Sequence, residues 1–176
     1  DNQWTTNILY ILAVAVTPAF EEEFLYRGVL LGASRNYGDG FAVLTSSIIF
    51  GLIHGNLIQI PFAFIGGLTF AYITVYSGSI IPAMLLHFIN NLFSVLGDII
   101  NSRFGQTAAE IYYAGFMGLF FLLGILGVAL IAKRDGTLLT FKKYNYILTF
   151  REKMRCFFFS PGMIVFGILI LLEVIS

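Results

Sequence analysis

From Ile111 to Ala132 there is not one charged side chain, and this run decides which folds are open to the chain. A helix rises ~1.5 Å per residue and a hydrocarbon core is ~30 Å thick, so about 20 apolar residues cross it. Similar runs recur along the sequence. Six candidate spans are read, at residues 7–35, 41–58, 60–76, 80–99, 111–132 and 157–175. Charged residues make up 11% of the chain, where soluble domains carry about a quarter. Nineteen Phe and nine Tyr add apolar area that a soluble chain of this length could not hide. The expected fold is therefore all-α, a polytopic transmembrane helical bundle. Short alternating segments, which an outer-membrane barrel needs, are missing. No repeat or soluble segment divides the chain, so residues 1–176 read as one membrane-embedded domain.

The chain opens at Asp1 without a basic stretch before its first apolar run, unlike a signal peptide. Further spans before Asp1 are expected. Net charge is zero, which argues against a nucleic-acid partner; membrane lipids are the expected surroundings. The single Cys156 excludes an intrachain disulfide framework and a multi-cysteine metal site. It reads as a small apolar residue near a membrane boundary, with lipidation as the alternative. Residues 133–155 carry Lys133, Arg134, Lys142, Lys143, Arg151, Lys153 and Arg155 against Asp135 and Glu152. The positive-inside rule assigns this loop to the cytoplasm, and alternating spans then place Arg35 on the same side. An integral protein of a bacterial cytoplasmic membrane is expected.

Ionisable residues inside spans are costly, roughly 2.5–3.5 kcal/mol at a helix centre, and are candidates for function by default. Three groups stand out. In Glu21-Glu22-Glu23-Phe24-Leu25-Tyr26-Arg27, Glu23 and Arg27 have the i,i+4 spacing that lets them neutralise each other. Glu22 points ~100° away around the helix and need not share that partner. The only two histidines are His54, four residues after Phe50, and His87, four before Asn91. Counted from the expected cytoplasmic helix ends, Glu22 and His54 lie ~20 Å deep and His87 ~12 Å, comparable levels for three separate spans. The short span at 60–76 holds Pro61, Gly66 and Gly67, small residues that let helices approach closely.

Glu22-Glu23 with Arg27, Phe50 with His54, and His87 with Asn91 together resemble the three motifs of the CPBP family of intramembrane proteases. That family includes CAAX prenyl endopeptidases of the Rce1 type and the bacteriocin-processing and immunity proteins called Abi. The register is fixed, because a frame starting at Glu21 would need Arg where Tyr26 stands. Gly78-Ser79-Ile80-Ile81-Pro82 is also similar to the family, and the likeness covers about 18–91.

The resemblance implies an intramembrane endopeptidase with Glu22, His54, His87 and Asn91 as its catalytic residues. Glu22 and His54 would activate water, while His87 and Asn91 would stabilise the oxyanion. Glu23, Arg27 and Phe50 would support the site. Amide hydrolysis does need a base for the water proton and donors aimed at the developing oxyanion. No cofactor is expected. Zinc is the alternative, since Glu22, His54 and His87 form a plausible three-ligand set, although the sequence has no HExxH pair. The substrate would be a peptide or a membrane protein, lipidated or not. Two competing readings use the same residues: a non-catalytic adaptor or immunity protein pinned by a polar network, and a small proton-coupled transporter.

Overall fold

The computed structural model describes residues 2–134 and 148–175. Among them every regular element is a helix. We number seven: α1 at residues 2–37, α2 at Asp39–Leu52, α3 at Gln59–Ser77, α4 at Ile81–Phe104, α5 at Gln106–Arg134, α6 at Phe150–Phe158 and α7 at Pro161–Ile175. Within α1 the backbone is not uniform. It widens into π-helix at Leu12–Val16 and again at Phe24–Leu30, then ends in a 3-10 turn at Arg35–Tyr37. π segments inside α-helices concentrate at functional sites. The second one begins directly after Glu23 and contains Arg27.

Three helices among the described residues are long and apolar enough to cross a membrane: α3, α4 and α5 over Gln106–Gly127. Of the six spans read from sequence, those at 7–35, 41–58 and 157–175 are not among these three; the stretch 7–35 is interrupted by the two π segments and carries Glu21, Glu22, Glu23 and Arg27. The expected span at 41–58 stops at Leu52, and α2, at 14 residues, covers only ~21 Å. It stops because the chain turns through Gly55, whose φ of +64° a side chain would disfavour. The expected span at 157–175 is broken at Phe159 and Ser160, and α7 restarts at Pro161, a residue suited to a helix's first turn. The stretch read as a basic loop is also partly helical. Lys133 and Arg134 end α5, and Arg151, Lys153 and Arg155 lie on α6. Residues 135–147, with Lys142 and Lys143, lie outside the described residues.

The chain divides into two compact units, residues 1–19 with 88–141 and residues 20–87 with 142–176. In the first, the Tyr10 hydroxyl donates to Asp98 Oδ2 at 2.9 Å, and the Arg103 guanidinium lies 5.5 Å from the Trp4 ring. Phe93 stacks on Tyr112 with ring centroids 5.2 Å apart, and the Tyr112 hydroxyl donates to the Phe93 carbonyl.

The second unit is built on Tyr26, Phe41, Ile49, Phe50 and Phe157, buried together. Here α2 and α3 pack as a hairpin. Thr45, Ser47 and Thr74 are buried, yet each hydroxyl donates to a carbonyl one turn back on its own helix, at 2.8, 2.6 and 2.8 Å. Those bonds remove the desolvation penalty and leave small side chains at the helix contact. α6 opens with a capping box, Thr149 and Glu152 satisfying each other's backbone N–H groups, and anchors through Phe157 against Tyr37 and Phe41. Cys156, on the same helix, is exposed.

Candidate active site

The site in the second unit starts from a buried carboxylate. Glu23 is wholly buried on α1, and its Oε1 accepts from Arg27 Nη1 at 2.8 Å. Arg27, also buried, donates through Nη2 to the Gly67 carbonyl on α3 at 3.2 Å. Its guanidinium lies 4.2 Å from the Phe50 ring and 5.3 Å from the Phe70 ring, so aromatic faces on α2 and α3 sandwich the cation. A charge pair in an apolar interior survives only when both ions are hydrogen-bonded and close. Arg27 is held on both counts.

Glu23 Oε1 also meets His87 Nδ1 on α4 at 2.8 Å. A carboxylate ion-paired to Arg27 can only accept, so Nδ1 donates and Nε2 is the nitrogen left exposed to chemistry. That Nε2 lies 3.9 Å from Glu22 Oε2. Glu22 is the different member of the acidic trio. Glu21 is exposed and Glu23 is committed to two partners. Glu22 is about one-third exposed, and its buried Oε2 has no hydrogen-bond partner.

His54 stands in the turn just past the end of α2, not inside a helix as its spacing from Phe50 suggested. Its Nδ1 nevertheless reaches back to the Phe50 carbonyl at 2.8 Å. A carbonyl only accepts, so this ring too donates through Nδ1 and presents Nε2. Phe50 lies between the histidines, its ring 5.0 Å from His54 and 5.8 Å from His87, both edge-to-face. Phe70 stacks on the other side of His87 at 5.3 Å with planes 20° apart.

Six of the seven residues singled out from sequence, Glu22, Glu23, Arg27, Phe50, His54 and His87, thus fall in one unit. Asn91, one turn beyond His87 on α4, belongs to the other unit, where its amide donates to the Val14 carbonyl at 3.3 Å. Two contributors were missed. Phe70 walls His87, and Gly67 supplies the carbonyl under Arg27. A Cβ on Gly67 would sit 3.2 Å from Phe50 Cδ1 and from Ser47 Cα. Their spacing, one helical turn apart on a glycine-bearing helix, was the available signal.

Among the described residues, no three His, Cys, Asp or Glu side chains are gathered closely enough to hold one metal ion. Glu22, His54 and His87 are among the residues so described.

A family model described as type II CAAX prenyl endopeptidase Rce1-like matches residues 3–93, more than half of the chain. The chain belongs to that family. The matched stretch holds α1, α2, α3 and the first half of α4, and with them every residue of the site. This Rce1-like chain is also 27% identical over 109 residues to the membrane-embedded CAAX protease MroQ of Staphylococcus aureus (strain USA300). That alignment covers 58% of this chain and 44% of MroQ, so the chain spans under half the length of the curated relative it matches. No solved structure matches it. The arrangement in this Rce1-like unit sets the unbonded Oε2 of Glu22 beside an imidazole held from behind by Oε1 of Glu23.

Proposed function

We propose that this protein is an intramembrane endopeptidase that hydrolyses a peptide bond with a water activated by Glu22 and His54. The observation that carries the reading is the Glu22 carboxylate. Its Oε2 is desolvated and without a hydrogen bond 3.9 Å from His87 Nε2, while Glu23 beside it is committed through Oε1 to both Arg27 and His87. A carboxylate kept free in so apolar a place is suited to taking a proton and poorly suited to holding helices together.

In this mechanism the water lies between Glu22 and His54. Glu22 takes its proton as the oxygen attacks the scissile carbonyl, and His54 Nε2 accepts a hydrogen bond from the same water. The carbonyl π electrons move onto oxygen, where His87 in its imidazolium form, Nδ1–H held by Glu23 and a second proton on Nε2, stabilises the negative charge. Collapse of the tetrahedral intermediate breaks the C–N bond, and the proton held on Glu22 passes to the leaving amine. No metal is required. The substrate class we propose is a peptide or membrane-protein segment, lipidated or not, cut at the bilayer. We place the protein in a bacterial cytoplasmic membrane with the basic 133–155 segment on the cytoplasmic side, as its exposed Lys133, Arg151 and Arg155 favour.

The test compares membrane-protein N-termini from strains carrying the wild type or Glu22→Gln. New N-termini present only with the wild type support the reading. Identical sets with equal protein levels exclude it, and a phenotype unaffected by Glu22→Gln would point to the adaptor reading instead.

A further inference from the structure

We infer that Glu23 is a positioning residue for His87, selecting which ring nitrogen faces the reaction, and not merely the ion-pair partner that holds Arg27. The inference rests on the function proposed above and deepens it.

An imidazole on a helix has two orientations related by a 180° flip about its Cβ–Cγ bond. The flip exchanges Nδ1 with Cδ2 and Nε2 with Cε1. Aromatic walls barely distinguish these states, because the ring presents nearly the same disc either way. The stack on Phe70 at 5.3 Å and the edge contact with Phe50 at 5.8 Å therefore fix the ring plane but not the flip. Only a hydrogen bond to one nitrogen does that. Glu23 Oε1, at 2.8 Å from Nδ1, provides it, and both side chains are buried, so no water competes for the bond.

The proton location follows from the same atoms. Arg27 keeps Glu23 an acceptor by donating to the same Oε1 at 2.8 Å. Glu23 thus requires a proton on Nδ1, and Nε2 is turned toward Glu22 Oε2. If Glu23 were only a counter-ion for Arg27, its carboxylate would have no reason to take a ring nitrogen from a third helix. Its second oxygen, buried and without a partner, makes the economy of this arrangement plain: one oxygen serves both contacts.

The experiment begins with the unaltered protein. It has only two histidines, so imidazole ¹⁵N spectra of the labelled, bilayer-reconstituted chain contain two ring systems, assigned with a His54→Asn sample. We expect Nδ1 of His87 to be protonated, whatever the state of Nε2. A His87 ring protonated on Nε2 alone overturns the inference while leaving Glu22-dependent cleavage, and so the function, intact. The second arm is the double variant Glu23→Gln/Arg27→Met, which removes both buried charges together so that neither is stranded. It should remain folded, show His87 with mixed protonation, and cleave with kcat lowered on the order of 10²-fold at a KM within about twofold of wild type, as for a mispositioned reacting group. Wild-type kcat in that variant overturns the inference. Absence of any cleavage by the wild type removes the proposed function, and the positioning role falls with it.

Discussion

Glu23 Oε1 lies 2.8 Å from His87 Nδ1, across 64 residues of sequence and between two buried side chains on α1 and α4. The same oxygen holds Arg27. One carboxylate oxygen thus ties together the helix that carries the acids and the helix that carries the second histidine. Its neighbour Glu22 is left with a buried oxygen and no hydrogen bond. The division of labour between adjacent glutamates, one committed through Oε1 to Arg27 and His87 and one open, leads to the following expectations.

Glu22→Gln keeps the size of the side chain and removes its capacity to take a proton. Cleavage should fall by about 10²–10⁴-fold, the usual contribution of a general base. Thermal stability in detergent should not fall, since Oε2 makes no hydrogen bond that the substitution could break. Full activity in the variant would remove Glu22 from the mechanism.

Arg27→Met leaves Glu23 as a buried carboxylate without its cation. Breaking such a pair from one side costs about 3–5 kcal/mol. The double variant Glu23→Gln/Arg27→Met should be less destabilised than Arg27→Met alone, because no charge is stranded. Denaturant unfolding of both proteins in the same micelles measures the difference. Additive losses would contradict the geometry of the pair.

Two adjacent glycines on α3 should behave oppositely. A methyl group on Gly67 would meet Phe50 Cδ1 and Ser47 Cα at 3.2 Å, so Gly67→Ala should destabilise by about 1–3 kcal/mol and lower activity by displacing Phe50. On Gly66 the nearest atom is Phe70 Cε2 at 3.8 Å, ordinary contact, and Gly66→Ala should be close to neutral. Equal effects at the two positions would argue against the α2–α3 packing.

Cleavage by the purified protein should persist after treatment with a strong chelator, and metal analysis should find no stoichiometric zinc. Zinc present at one per chain and lost together with activity would replace the proposed mechanism with a metal-dependent one using some of the same side chains.

The cap of α6 should be sensitive to acid. Hydrogen bonds from the Thr149 hydroxyl, and then from its backbone N–H, hold the Glu152 carboxyl below the usual carboxylate range. A group whose folded pKa is depressed stabilises the fold above its unfolded value, near 4.3, and that contribution is lost as pH falls through the folded value. Amide exchange in the first turn of α6 should therefore accelerate as pH is lowered below about 4.3, beyond its intrinsic pH dependence. In Glu152→Ala that additional acceleration should vanish. An unchanged profile in the variant would mean that the cap does not control the turn.

Much was legible without coordinates. The uncharged run at Ile111–Ala132 dictates a membrane-crossing helix, because lipid offers the backbone no hydrogen-bond partners. The i,i+4 spacing of Glu23 and Arg27 dictates their pairing, since one helical turn brings them face to face. That pairing in turn singles out Glu22 as the free acid. Such features depend on local geometry alone, and local geometry is written in spacing.

Tertiary structure decided the rest. The sequence could set His87 near the depth of Glu22, yet not say that Glu23 would take its Nδ1, because 64 residues and three helix connections intervene. It could not place Phe70 against His87, nor Gly67 beneath Arg27, since both contacts arise from how closely α3 packs on its neighbours. It carried α2 past its true end, where the turn through Gly55 leaves His54 outside the helix. The sequence by itself determined the all-helical membrane class and the pairing of Glu23 with Arg27. Packing between helices determined which nitrogen that acid faces, for a side chain's direction is settled by the surfaces that close around it.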